Sequence, residues 1–172
     1  AEKFVVPAQN LIYADVTGNI GYQTPGQLPI RGAGDGSMPQ PGWDSAYDWQ
    51  GYIPFADLPV SYNPDEGYIV TANNAIVDQN YPYFLTRDWD YGWRAARIDD
   101  LLQRAIAEGP VTAEVMRGIQ ADNQSEIGKT LITVFEDLRT GDEATDAALD
   151  LLRQWDAQND AESSAAAFAN VV

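Results

Sequence analysis

The sequence predicts an α+β fold, with strands and ordered loops in the first half and a helical section in the second. Three observations carry this. Nine of the ten prolines and all nine tyrosines fall in residues 1–91, while residues 92–172 hold a single proline, Pro110. The first half alternates apolar and polar residues in short bursts broken by turn signals, as half-buried strands do. The second half repeats apolar residues at three- and four-residue spacing, as amphipathic helices do. The division therefore reads as residues 1–91 and residues 92–172, packed on each other without a flexible linker.

In chain order, residues 10–22 (NLIYADVTGNIGY) predict a hairpin. Leu11 to Tyr13 and Ile20 to Tyr22 form its strands, and Asp15 to Asn19 the turn, where Gly18 is free to take positive φ. Residues 32–42 (GAGDGSMPQPG) are too rich in Gly and Pro for a regular element. A further strand is predicted at Tyr68 to Thr71, after the turn residues Asn63 to Gly67. Ile98, Leu101, Leu102, Ala105 and Ile106 share one face of a helix that stops at Gly109-Pro110. Thr112 is placed to cap a short helix bearing Val115, Met116 and Ile119. Leu131, Val134, Phe135 and Leu138 predict a third helix ended by Gly141, and Leu149, Leu152 and Trp155 a fourth. The Ala-rich residues 161–172 read as a last helix running to the end without a cap.

Composition narrows the chemistry. The 172 residues carry 26 acidic and 10 basic side chains, a formal charge of −16. Such a field opposes nucleic acid and anionic membranes. At 45% hydrophobic and 11% aromatic, the chain is still globular rather than a disordered acidic tail. No apolar run approaches the roughly 18 residues of a membrane span, and Ala1-Glu2-Lys3 does not open a signal peptide. There is no Cys and no His, which removes thiolate chemistry, zinc–thiolate and iron–sulfur sites, and the usual general base. Any catalysis must rest on hydroxyls, amides, carboxylates, Arg or a group outside the sequence.

Four constellations are candidates. Asp88 and Asp90 flank Trp89, and Asp99-Asp100 lie on a helix, but neither these nor Asp44 and Asp48 have the spacing of a Ca²⁺ loop. In so acidic a chain they read as solvated surface groups. Gly32, Gly34 and Gly36 resemble part of a phosphate loop, yet no Lys-Ser or Lys-Thr follows, so a structural turn is the better reading. Trp43, Tyr47, Trp49, Tyr52 and Phe55 could form a sugar-binding platform, or simply pack. Asn73-Asn74 ends the strand expected at Tyr68 to Thr71, where a rigid element can aim a carboxamide at a substrate. Such an NH₂ stabilises an acyl-transfer oxyanion by about 3 kcal/mol. The same pair can equally be a plain turn.

At these residues the chain resembles the penicillin acylase family. The segment Ala14 to Tyr22 (ADVTGNIGY) is similar to the family's ADxxGNIGY. Then, in the family's order, come Gly34-Asp35-Gly36-Ser37, Pro41-Gly42-Trp43, residues 48–55 (DWQGYIPF), Leu58-Pro59, Asn63-Pro64 and residues 67–74 (GYIVTANN). Residues 91–98 (YGWRAARI) resemble the family's GYRAxRI helix start. The match is dense through about residue 105 and agrees mainly in layout beyond it. A co-linear series of Gly, Trp and Pro combinations is far more specific than any one short motif.

The resemblance implies an N-terminal-nucleophile (Ntn) amidohydrolase, made as a precursor that cleaves itself into two chains. Residues 1–91 would then be part of an αββα sandwich and its substrate cleft. A Ser at the start of the larger chain attacks the amide, and its own α-amine, with a reference pKa near 8, serves as base without His or Cys. Asn73 falls on the family's oxyanion-hole asparagine and Arg94 on the arginine that supports the site. The partners implied are the remaining parts of the same precursor and a small N-acyl substrate. No cofactor is needed for catalysis, although a structural Ca²⁺ is compatible with the family, its carboxylate ligands largely elsewhere. Export makes the periplasm or exterior the expected location. Residue 1 is Ala and no nucleophile segment is present, so this segment by itself should be inert. Ala72 stands where penicillin G-selective members have Trp, leaving β-lactams, acyl-homoserine lactones and lipopeptides all open as substrates. The alternatives from other classes are a non-catalytic module binding carbohydrate or a hydrophobic ligand through the aromatic first half, and an acidic helical partner protein.

Overall fold

The computed structural model describes residues 1–171. They form two compact units, Ala1–Gly92 and a second from Trp93 onward. The architecture mixes strand and helix, with every strand in the first unit and every α-helix in the second.

In the first unit, β1 (Leu11–Ala14) and β2 (Ile20–Gln23) form the expected antiparallel hairpin, with Ile12 opposite Tyr22. Its turn is built by Asp15. One carboxylate oxygen accepts from the Thr17 N–H (2.8 Å) and the Asn19 N–H (3.0 Å), and the other from Tyr13 Oη (2.8 Å) and Asn19 Nδ2 (2.9 Å). These donors hold the Asp15 carboxyl far below the usual range, and Gly18 takes φ +92° to close the loop. A second sheet pairs β3 (Pro29–Arg31) with β4 (Trp49–Tyr52), with a bulge between Ile30 and Arg31. Short 3₁₀ turns at Ser45–Tyr47 and Phe55–Asp57 flank β4.

The strand expected at Tyr68 to Thr71 does not form. The place beside β2 is taken by β5 (Val60–Tyr62), with Ser61 opposite Tyr22. With β1 on one edge of β2 and β5 on the other, both ladders of β2 are occupied, and residues 68–71 carry no ladder pairing among the described residues. A side-chain relay ties them to the sheet instead. Tyr22 Oη donates to Asn10 Oδ1 (2.6 Å), and Asn10 Nδ2 donates to Thr71 Oγ1 (2.9 Å). Tyr22, Ile53, Leu58 and Ala72 are buried apolar residues of this unit.

The second unit holds α1 (Trp93–Glu108), α2 (Ala113–Gln120), α3 (Glu126–Val134), α4 (Glu143–Arg153) and α5 (Ser164–Ala169). Four of the five begin at a side-chain cap, in which Thr112, Ser125, Asp142 and Ser163 accept the N–H of Val115, Gly128, Thr145 and Ala166. The core gathers Leu152, Trp155 and Ala166, with Leu131, Phe135 and Phe168 packed against them. Three helix ends differ from the sequence expectation, and the first is α4, which stops at Arg153 and leaves Trp155 beyond its cap at Gln154. α3 stops at Val134, because Arg153 reaches back to the carbonyls beyond it, Nε to Glu136 O at 2.7 Å and Nη2 to Phe135 O at 3.1 Å. In a continuing helix those carbonyls would instead accept from the N–H groups of Arg139 and Thr140. α5 is capped at Asn170, whose N–H donates to Ala166 O, and Val172 lies outside the described residues.

Candidate active site

Asn73 sits in a bend rather than at a strand end. Its backbone is left-handed, φ +62°, a conformation Asn adopts more readily than most residues. The Asn74 side chain closes the bend, its Oδ1 accepting from the Ala72 N–H at 3.0 Å while its Nδ2 donates to Ala75 O at 3.2 Å. On the other side, the Asp90 N–H donates to Asn73 O at 2.8 Å, and Asp90 Oδ1 accepts from the Gly92 N–H at 3.0 Å. The chain on both sides of Asn73 is thus fastened while Asn73 itself stays exposed. A hollow of about 260 Å³ opens next to the bend, lined by Tyr22, Ser61, Ile69, Thr71 and Asn74. Asn73 is thus an exposed residue on a backbone held in place from both sides.

Arg94 belongs to the second unit, in the first turn of α1, and is exposed. It lines a groove of about 520 Å³ whose walls come from α1, α2 and α3, with Trp93, Ile98, Leu101, Met116 and Ile119 as the apolar surface. Deeper in the groove stands an ion-pair centre that sequence reading did not single out. The Arg97 side chain, only 15% exposed, donates from Nε to Asp122 Oδ2 (3.0 Å) and from Nη2 to Asp122 Oδ1 (2.7 Å). Asp100 and Glu126 lie at 3.5 and 3.7 Å from its Nη1. The Arg97 hydrogen bonds hold the Asp122 carboxyl below its ordinary range against the opposing effect of burial. Asp100 is visible in sequence at three residues' spacing; Asp122, 25 residues on, leaves no local signal.

Several of the other candidates make structural contacts. In the glycine loop, the Ser37 N–H and hydroxyl both donate to Asp35 Oδ1, at 3.0 and 2.5 Å, and Arg87 Nε donates to Oδ2 at 2.8 Å. Those donors bring the Asp35 carboxyl down to about 2 and serve the loop itself rather than a phosphate. Trp49 and Tyr52 meet edge-on, with ring planes 71° apart, so this pair is not a flat platform. Of the acidic pairs, Asp99 accepts from Gln103 and Asp100 from Arg104. Among the described residues no group of three or more acidic side chains is gathered to hold a metal ion, and no helix is long and apolar enough to cross a membrane.

The sequence profile of penicillin amidases matches residues 1–172. The chain belongs to the penicillin amidase family. Its relatives include an acyl-homoserine lactone acylase, QuiP, of Pseudomonas fluorescens, 34% identical over 75% of this chain and 15% of that protein. Penicillin acylase 2 proenzyme of a Pseudomonas species is 33% identical over 94% of this chain and 20% of that one. Among solved structures, the thermostable penicillin G acylase of Alcaligenes faecalis aligns with a TM-score of 0.61 at 29% identity, over 89% of this chain and 28% of that one. The chain spans about 15 to 20% of the length of these two curated relatives. These relatives are acylases, which supports an amidohydrolase family and does not favour the carbohydrate- or hydrophobic-ligand-binding module.

Proposed function

We propose that this chain is part of an amidohydrolase that splits N-acyl substrates, such as a β-lactam, an acyl-homoserine lactone or a lipopeptide, through a serine acyl-enzyme. In this reading residues 1–91 contribute to an αββα Ntn core and its cleft, and residues 92–172 form a helical section of the same enzyme. The nucleophile comes from another part of the same autoprocessed precursor. Its Oγ bonds to the substrate carbonyl carbon while its α-amine takes the hydroxyl proton. That proton passes to the amide nitrogen as the C–N bond breaks and the amine leaves. Water, deprotonated by the same α-amine, then releases the acid.

Asn73 Nδ2 donates to the carbonyl oxygen as it becomes negative, lowering the barrier by about 3 kcal/mol. Arg94 supports the site with a fixed positive charge, which also favours the neutral form of a nearby amine. The observation that carries this reading is the Asn73 bend, an exposed residue at positive φ whose backbone is held on both sides. A structural Ca²⁺ in the complete enzyme would draw most of its ligands from outside this chain, and no step passes through it. Anionic polymers and membranes are not among the partners, given the charge of −16, and the location is periplasmic or secreted.

The test is the purified parent protein, analysed by intact mass and assayed for amine release from penicillin G and from N-acyl-homoserine lactones. Two chains are expected, the larger beginning with Ser, together with turnover that the 172 residues alone do not show. Turnover by the 172-residue chain alone, or by a parent that stays a single chain, would overturn the proposal.

A further inference from the structure

Resting on the assignment of Asn73 to the oxyanion, we infer that Asn74 is a positioning residue whose side chain aims the Asn73 carboxamide. Both ends of the Asn74 amide are spent on backbone. Oδ1 accepts from the Ala72 N–H at 3.0 Å, across the bend, and Nδ2 donates to Ala75 O at 3.2 Å. Asn74 therefore brackets Asn73 from the residue before to the residues after. A further tie, the Asp90 N–H to Asn73 O at 2.8 Å, fixes the carbonyl of the same residue.

These bonds matter because Asn73 is at φ +62°, in the left-handed region that Asn tolerates better than most L-residues but does not favour over the right-handed and extended regions. Rotamer choice follows backbone φ and ψ, so a bend that relaxes out of the left-handed region re-aims the side chain. An oxyanion donor tolerates misplacement of only about half an ångström, and a shift of about 1 Å costs on the order of 100-fold in rate. Ala72, which supplies the N–H of this bond, is buried, with 7% exposure. With both of its polar atoms engaged on the main chain, the Asn74 amide acts on the reaction through Asn73 and not on the substrate.

The experiment uses the processed parent enzyme and an N-acyl p-nitroanilide that the wild type turns over, with Asn73→Ala, Asn74→Ala, Asn74→Asp and the double Ala variant. Asn74→Ala should lose about 10- to 100-fold in kcat while KM stays within about threefold. The double variant should be no slower than Asn73→Ala, within about threefold, because Asn74 has nothing left to aim. Asn74→Asp keeps the acceptor and should recover part of the loss, and it also serves if Asn74→Ala does not fold. Wild-type kcat in Asn74→Ala, a double variant slower by the full Asn74→Ala factor, or an Asp variant as slow as the Ala variant would each overturn the inference. Asn73→Ala at wild-type rate would instead remove the oxyanion assignment, and the inference with it.

Discussion

Replacing Gly128 by Ala tests the helical unit where its packing is tightest. Gly128 is buried in the first turn of α3, and a methyl group there would meet the Trp155 ring, 2.7 Å from Cη2 and closer still to Cζ3, with Ser125 Cβ at 3.0 Å. Carbon atoms rest about 3.5–4.0 Å apart, so the ring must retreat by about 1 Å. It is poorly free to do so, being 7% exposed, bonded from Nε1 to Gln158 O at 2.8 Å and packed with Leu152 and Ala166. Overpacking of this kind costs about 2–3 kcal/mol on a rigid ring, against about 1 kcal/mol gained from Ala's helix propensity. The net loss is about 1–2 kcal/mol. Gly118 in α2 is the control, since a Cβ there meets nothing within 4 Å and Gly118→Ala should stabilise α2 by about 0.5–1 kcal/mol. Hydrogen exchange read by mass spectrometry on peptides covering α2 and α3 separates the two. Amides of α3 should exchange about tenfold faster in Gly128→Ala, and those of α2 severalfold slower in Gly118→Ala. Slower α3 exchange in Gly128→Ala would refute the packing of Trp155 on α3.

Asp122→Ala should destabilise the α1–α3 region by about 2 kcal/mol, because it leaves the half-buried Arg97 guanidinium without its bidentate partner; urea unfolding measures it. Since the Asp122 carboxyl is lowered in the fold, its contribution is complete above the ordinary aspartate value and fades as pH falls through the folded one. Asp122→Asn should therefore flatten that acid limb. Asp35 gives a local version of the same effect. Its carboxyl should titrate near pH 2 by NMR, and the loop at Ser37 and Arg87 should loosen between about pH 4 and pH 2, not above. A midpoint at the ordinary aspartate value would remove the Ser37 and Arg87 hydrogen bonds from the account.

What was legible in the sequence was what local chemistry decides. Asp15 to Asn19 close their own turn, and Thr112 caps α2 three residues before the N–H it accepts, so both were readable. The choice of Val60–Tyr62 over residues 68–71 as the third strand was not, because both are short aromatic or β-branched runs and the free edge of β2 decides between them. Nor was the pairing of β3 with β4 across the Gly- and Pro-rich residues 32–42. The end of α3 depends on Arg153, 18 residues beyond Phe135. Asn73 itself reached attention as one of a pair, and only the family resemblance separated it from an ordinary turn. In the structure the Asn74 side chain bonds to the backbone of Ala72 and Ala75, and Asn73 is the exposed residue at positive φ.

The most direct measurement is the turnover of Asn73→Ala in the processed parent enzyme, set beside its thermal unfolding. Removing the carboxamide should lower kcat by about 100-fold or more while the unfolding temperature stays close to wild type, as expected for a group that acts on the transition state. A folded Asn73→Ala enzyme with near wild-type kcat would contradict the account.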